Sequence, residues 1–421
     1  MKWNVFTAEI KAILRPRPTL ITAVLALGFI GLLSSLIGAT MQPSTAPVIA
    51  QYGPTATPAL ISGSEAHNAE LERKFQADLA QLQPQASKEG VNDYRSARSF
   101  IDKIQEQIWQ DASVADGPTG QLYDQIEGLN SYQQLLVGHR VVDNYRGCGK
   151  QGLAQRAASQ LGLLSASEHS DLYQYLGDAS AASSKRVELP KAVDQRVNAL
   201  AQECQSGMGL THPDDTIQLS QSYLRMVFLV VLLATLGLCA PLLTRNRMRR
   251  MRQTQWSTRV GRSIQGIEMA AAATVAFLVA AVSYALALAL WLPKIKAYLP
   301  TPVFDGADLP WFNWSVGTYI AVFLAASFAL NLGCALLMVW FSSHMSTYIS
   351  LLLVLVPFAV IAFFVEAQWL MVGPFIIGNE INRLLPLVGI EGYICLAVLA
   401  LGAALCIVGS RKVKHQQLAT A

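Results

Sequence analysis

The chain has 421 residues, 52% of them hydrophobic and 14% charged, with a formal net charge of +4 and a mean hydropathy of +0.34. A soluble globular domain carries about 25% charged residues, so the deficit favours a membrane protein. The arginines cluster beside apolar runs rather than on a broad basic surface, which speaks against nucleic acid as a partner.

At the N-terminus, Trp3, Phe6, Ile10, Ile13 and Leu14 recur at helical spacing while Lys2, Glu9, Lys11 and Arg15 take the other faces. This pattern predicts an amphipathic helix over residues 1–18, lying in the membrane interface with its apolar side down. Pro16 and Pro18 end it and turn the chain into a first apolar span at 19–38. A cleaved signal peptide is the rival reading, because basic residues precede the apolar run and small residues follow it at 39–46. The run is longer than a usual signal core.

Residues 41–225 form a long polar block. Its first part, 42–63, is rich in Pro, Ser, Thr and Ala and reads as a linker. Helical spacing then appears over 65–83 (Leu71, Phe75, Leu79, Leu82) and over 94–110 (Ala97, Ile101, Ile104, Ile108). Further helices are expected at 120–137, 151–163, 165–176 and 190–204, and strand-like alternation is scarce. Cys148 and Cys204 are the only two of six cysteines in this block, and on the orientation derived below they lie where disulfides form. A bridge between them and two buried free thiols are both open. His67, His139, His169 and His212 are scattered, so no metal site is expected. Gly147–Lys150 superficially suggests a phosphate loop. Asn144 stands where its first Gly belongs and Gln151 where the Ser or Thr belongs. No catalytic constellation is evident.

Five more apolar spans follow, at 226–243, 264–292, 314–340, 347–365 and 392–408. Trp291, Trp311, Trp314, Trp340 and Trp369 near their ends suit an interfacial aromatic belt. Between the second and third spans, residues 244–263 carry Arg245, Arg247, Arg249, Arg250, Arg252, Arg259 and Arg262. Basic residues also mark the N-terminus and the tail, 410–421, whereas the remaining loops have few. The positive-inside rule then places both termini and the basic loop in the cytoplasm, with 41–225 outside. Ionisable groups within the spans are sparse: Glu268 lies one turn into the third and could pair with Arg262, and Arg225 sits at the outer edge of the second. Asn331 is the clearest buried polar side chain, suited to an interhelical hydrogen bond. The fold class expected is an all-α polytopic membrane protein of six transmembrane helices (the last four within 264–409). A mostly α-helical extracytoplasmic domain is inserted between the first and second.

This layout resembles the membrane subunits of type-2, exporter-like ABC-transporter permeases. The stretch Trp256-Ser-Thr-Arg-Val-Gly-Arg262 is similar to the (Y/S)-(S/T)-x-R-x-G-R sequence that many such permeases carry between their second and third spans. The resemblance implies that 244–263 is a coupling helix docking on a cytosolic ATPase subunit, with Trp256, Ser257, Thr258, Arg259, Gly261 and Arg262 at the contact. It implies a second permease subunit, alike or different, and a place in a bacterial cytoplasmic membrane, with lipid as the other partner. No cofactor is expected on this chain, which lacks an ATPase motif; ATP and magnesium belong to the partner. Export is the direction expected. A membrane sensor or an assembly scaffold acting through the large extracytoplasmic block is the alternative, and the arginines of 244–263 could instead only set topology and bind anionic lipid.

Overall fold

The computed structural model describes residues 2–14, 17–40, 55–56, 58–82, 85–146, 149–163, 188–206, 208–209, 213–248, 264–304, 309–344, 348–366, 377 and 387–419. The chain is mostly helical and divides into two compact units. The first comprises Met1–Gln42, Asp214–Leu299 and Pro310–Ala421; the second comprises Pro43–Pro213 and Pro300–Leu309.

The first unit contains α1 (Lys2–Leu14) and α2 (Arg17–Thr40), and, after the second unit, α10 (Pro213–Met248) and α11 (Ile264–Ile295). It is completed by α12 (Val316–His344), α13 (Tyr348–Glu366) and α14 (Ile390–Ala419). Among the described residues, four stretches are long and apolar enough to cross a membrane: Leu219–Cys239, Gly266–Tyr298, Val316–His344 and Ile390–Gly409. Helices also form at the first and fifth expected spans, with shorter apolar stretches at Val24–Ile37 and Leu355–Phe364. On α2, Ala26, Ile30 and Ser34 point inward at four-residue steps while Ile21, Val24, Leu25, Phe29, Leu32 and Leu36 are exposed. Val356, Val360 and Phe363 on α13, and Leu396, Leu401 and Ile407 on α14, are exposed likewise. Apolar exposure on this scale is untenable in water and ordinary against lipid.

Side-chain pairings fix the helix directions. On α10 and α12, Gln221 meets Tyr319 and, farther along both, Thr235 meets Asn331, so the two run parallel. On α10 and α11, Ser220 meets Trp291 and Tyr223 meets Ala287, so these run antiparallel. On α12 and α14, Gly333 meets Leu399 and Trp340 meets Gly409, so these run parallel. α1 packs Phe6, Ile10 and Ile13 onto Ala271 and Val275 of α11, while Ser34 of α2 meets Lys294 near the far end of α11, so α2 and α11 run parallel. One end of the bundle therefore gathers α1, the start of α11 and the ends of α10, α12 and α14. The opposite end gathers the end of α2 and the start of α10, the end of α11 and the starts of α12 and α14.

α12 and α14 form the most extensive helix pair of this unit. It is made possible by Gly333 and Gly402, where backbone approaches backbone: a Cβ on Gly333 would lie 2.8 Å from the Leu399 nitrogen, and one on Gly402 would lie 2.8 Å from the Gly333 carbonyl oxygen.

The second unit contains α3 (Pro58–Gln81), α4 (Gln85–Lys88), α5 (Tyr94–Gln110), α6 (Pro118–Glu127), α7 (Asn130–Arg146), α8 (Lys150–Gln160) and α9 (Lys191–Ser206). A two-residue antiparallel ladder joins β1 (Thr55–Ala56) to β2 (Met208–Gly209). Phe75, Leu79, Val91, Ala97, Ile101, Ile104, Leu122, Ile126 and Leu135 make its core. The spacing read from 65–83 and 94–110 supplies the α3 and α5 faces of that core. Asp93 caps α5: its carboxylate accepts the Ser96 N–H at 2.7 Å, and the Asp93 N–H donates to the Ser96 hydroxyl at 3.0 Å. The Ser96 N–H, and then the Ser96 hydroxyl, hold the Asp93 carboxyl below its ordinary value. The expected helix at 120–137 is two helices, because Gly128 ends α6 and Asn130 starts α7. α8 closes with Gly162 at φ +69, which lets the N–H groups of Gly162 and Leu163 reach back to the Ser159 and Ala158 carbonyls. The helix expected at 165–176 lies outside the described residues.

The predicted outer edge of the second span also differs. α10 starts at Pro213 and its apolar stretch at Leu219, so Arg225 is not at the edge of the span. Arg225 is 9% exposed and donates to the Ser222 hydroxyl at 3.2 Å. The polar residues Ser220 and Gln221, which make this stretch look like loop in sequence, are satisfied by side chains of α11 and α12.

Candidate functional site: the buried polar seam of the helix bundle

Apolar helices pack against each other in lipid with little hydrophobic drive, so small residues and interhelical hydrogen bonds decide how they associate. Among the described residues of the first unit, two groups of such bonds lie along α10.

The deeper group centres on Asn331, which is fully buried on α12. Its amide nitrogen donates to the Phe228 carbonyl and to the Tyr284 hydroxyl, each at 3.3 Å. Its amide oxygen accepts from the Thr235 hydroxyl at 3.1 Å, a proton that Thr235 shares with the Val231 carbonyl at 2.8 Å. One side chain thus ties α12 to α10 and α11.

The second group lies toward the end where α10 begins. Trp291 of α11 is fully buried, stacks on Tyr223 with ring centroids 4.5 Å apart, and donates its indole N–H to the Ser220 hydroxyl at 3.0 Å. Tyr223 donates to the Ala287 carbonyl at 3.1 Å. Lys294 sits 5.6 Å from the centre of the Trp291 ring and donates to the Ser34 carbonyl of α2. Gln221 donates to the Tyr319 hydroxyl at 2.8 Å, which joins α12 to the same group. Four helices are locked together here. Trp291, expected in the lipid-facing aromatic belt, is instead an internal packing residue, because its N–H finds an acceptor inside the bundle. Trp311 is likewise buried.

Two carboxylates are also buried. Glu268, 8% exposed, stands near the start of α11; its suggested partner Arg262 lies outside the described residues. Glu391, 2% exposed, stands in the first turn of α14, where the positive end of the helix dipole favours an anion. The sequence reading missed Glu391, Gln221 and the interior position of Arg225, since none falls inside an uninterrupted apolar run.

The predicted coupling residues Trp256, Ser257, Thr258, Arg259, Gly261 and Arg262 lie outside the described residues, as does Cys148. Cys204 is buried on α9; among the described residues the free thiols are Cys239, Cys334, Cys395 and Cys406. In the second unit, His139 on α7 stacks on Tyr94 of α5, with ring centroids 4.6 Å apart, and meets Glu72 of α3 at 3.1 Å. This contact clasps three helices of the core. No group of three or more His, Cys, Asp or Glu able to hold a metal ion occurs among the described residues.

No known protein family matches the chain, and neither the curated proteins nor the solved structures contain a significant relative.

Proposed function

We propose that this chain is the membrane-spanning subunit of an ATP-driven ABC transporter that exports its substrate. Its ATPase is a separate cytosolic chain that binds ATP and magnesium and docks on residues 244–263. The observation that carries the reading is the arrangement around α11. That helix begins directly after the basic loop, and α1 is packed along its first turns through Phe6, Ile10 and Ile13. A push on the loop therefore acts on an element 32 residues long, about 48 Å at the rise of an α-helix. The polar seam ties it in turn to α2, α10 and α12. A lever coupled to a bundle with discrete packings is what alternating access needs.

Six spans fit the helix directions. Parallel α12 and α14 require the intervening chain to recross the membrane, and α13, 19 residues long, supplies the helix. Parallel α2 and α11 put the start of α2 at the end of the bundle where α11 begins. Both termini and the basic loop then share the cytoplasmic side of a bacterial cytoplasmic membrane, and the second unit is extracytoplasmic. In that compartment Cys148 and Cys204 form a disulfide, a pairing that an oxidising environment permits. A second permease subunit completes the pathway, and lipid covers the exposed faces of α2, α13 and α14.

The test is purification of the tagged chain from its native membrane, followed by ATPase assay of the wild type and of Trp256→Ala/Arg259→Ala. A copurifying ATPase that the double substitution releases or uncouples is the expected result. Absence of any ATPase partner refutes the reading.

A further inference from the structure

An ionisable group buried among apolar helices is costly alone, and such groups pair with one another. Arg225 on α10 and Glu391 on α14 are 9% and 2% exposed, and both stand near the starts of their apolar stretches. Contacts with α12 fix their heights. Gln221 meets Tyr319, so Arg225, one turn on, stands level with Phe323. Leu399 meets Gly333, so Glu391, about two turns back, stands level with Ala325. The two charges therefore lie within about 3 Å of the same height along the bundle. They also share a side of it. Ser220 and Tyr223 turn toward α11, and Arg225 lies on the opposite flank of α10. Cys239, two heptads beyond Arg225 and so on nearly the same flank, is the neighbour of Cys406 on α14, whose thiol donates to the Leu336 carbonyl of α12. On α14, Glu391, Cys395, Gly402 and Cys406 make one inward stripe at steps of four, seven and four residues.

We propose that Arg225 and Glu391 form a buried ion pair that latches α10 to α14 at this end of the bundle. A guanidinium carries five N–H donors in a planar fork, so the bond from Arg225 to the Ser222 hydroxyl is compatible with a carboxylate on the same group. The first turn of α14 favours the anion, and the cation comes from the helix beside it. Separating α10 from α14 here strands two charges in apolar surroundings, which makes the separation all-or-none rather than gradual. The pair stands without the transport reading. Its role as a closure of the extracytoplasmic side rests on that reading.

The test is a double-mutant cycle on the full chain, unfolded reversibly in mixed detergent with no ATPase present. Arg225→Gln and Glu391→Gln each strand the partner's charge and are expected to lower the folding equilibrium constant about a hundredfold. Arg225→Gln/Glu391→Gln is expected to lose at least about tenfold less than the product of the two singles. The exchange Arg225→Glu/Glu391→Arg is expected to be at least about tenfold more stable than the weaker single, although a cation in the first turn of α14 opposes the helix dipole. Losses that simply multiply, or an exchanged chain no more stable than the singles, overturn the pair. If neither single folds, the double variants decide: folded protein from both supports the pair, and failure of both overturns it. Hydrogen exchange of Glu391→Gln in lipid nanodiscs tests the latch. Several-fold faster exchange in the first turns of α14, with its far end unchanged, is expected, and unchanged exchange in those turns overturns it. Failure of the transport reading would show instead as a missing ATPase in the copurification, with the cycle and the exchange results unaffected.

Discussion

Gly333→Ala separates the α12–α14 pair, and its cost can be worked from the contact. The new Cβ would lie 2.8 Å from the Leu399 nitrogen, 2.9 Å from its Cα and 2.9 Å from the Val398 carbonyl carbon. All three are backbone atoms of α14, so no side chain can rotate away. Ordinary contact begins near 3.4 Å, so α14 must retreat by at least about 0.6 Å along the crossing. A gap of 0.5–1 Å forfeits about a quarter to a half of each dispersion well it opens. Overpacking of this kind costs about 1–3 kcal/mol, and the rigidity of the partner places Gly333→Ala in the upper half of that range. Helix propensity works the other way, by up to about 1 kcal/mol for Gly to Ala, which leaves a net loss of about 1–2 kcal/mol. Gly402→Ala meets the Gly333 carbonyl at 2.8 Å and demands the same retreat. The double variant should therefore lose clearly less than the sum of the singles. Reversible unfolding in mixed detergent, with spin-label distances between α12 and α14, measures both. A Gly333→Ala protein as stable as the wild type, or strictly additive losses, would refute the backbone-contact argument.

Asn331→Leu removes two donors and one acceptor from the junction of α10, α11 and α12, and is expected to cost about 1–2 kcal/mol in the same unfolding assay. Thr235→Val should cost distinctly less, because the Thr235 proton already has the Val231 carbonyl of its own helix. Asp93→Ala removes the cap of α5 and should lower second-unit stability by about 1 kcal/mol at neutral pH. The Asp93 carboxyl is depressed in the folded state, so its contribution is complete above about pH 4 and is lost as pH falls further. A thermal-melt difference between Asp93→Ala and wild type that persists undiminished at pH 2 would contradict that sign. If Cys148 and Cys204 are bridged, the closed loop of 57 residues contributes about 4 kcal/mol by chain entropy, less any strain. Cys148→Ser/Cys204→Ser and reductant should then lower the second-unit melting temperature alike, and a reductant-insensitive melt counts against the bridge.

The periodicity of the chain was enough to find α3 and α5. The four-residue recurrence of Leu71, Phe75 and Leu79 builds the face that packs in the second unit, and the Tyr94–Gln110 helix has the bounds its spacing implies. The break at Gly128, with Asn130 two residues on, was also written in the sequence, since a helix stop followed by a capping residue marks a boundary. Such signals are local: they depend on backbone preference and on which side of one helix is apolar. Partners are not local. Ser220, Gln221 and Arg225 look like loop residues until the Trp291 indole and the Tyr319 hydroxyl come within hydrogen-bonding distance, which only the antiparallel and parallel packing of α11 and α12 on α10 brings about. Trp291 looks like an interfacial residue for the same reason, because an aromatic near a span end does not reveal whether lipid or protein lies beside it. Gly333 and Gly402 are ordinary helix residues in sequence, and their role follows from two backbones meeting. Composition and period therefore determined that this chain is mostly helical, with several apolar helices of membrane-spanning length and a large polar insertion. Which polar groups are buried together was decided by the packing.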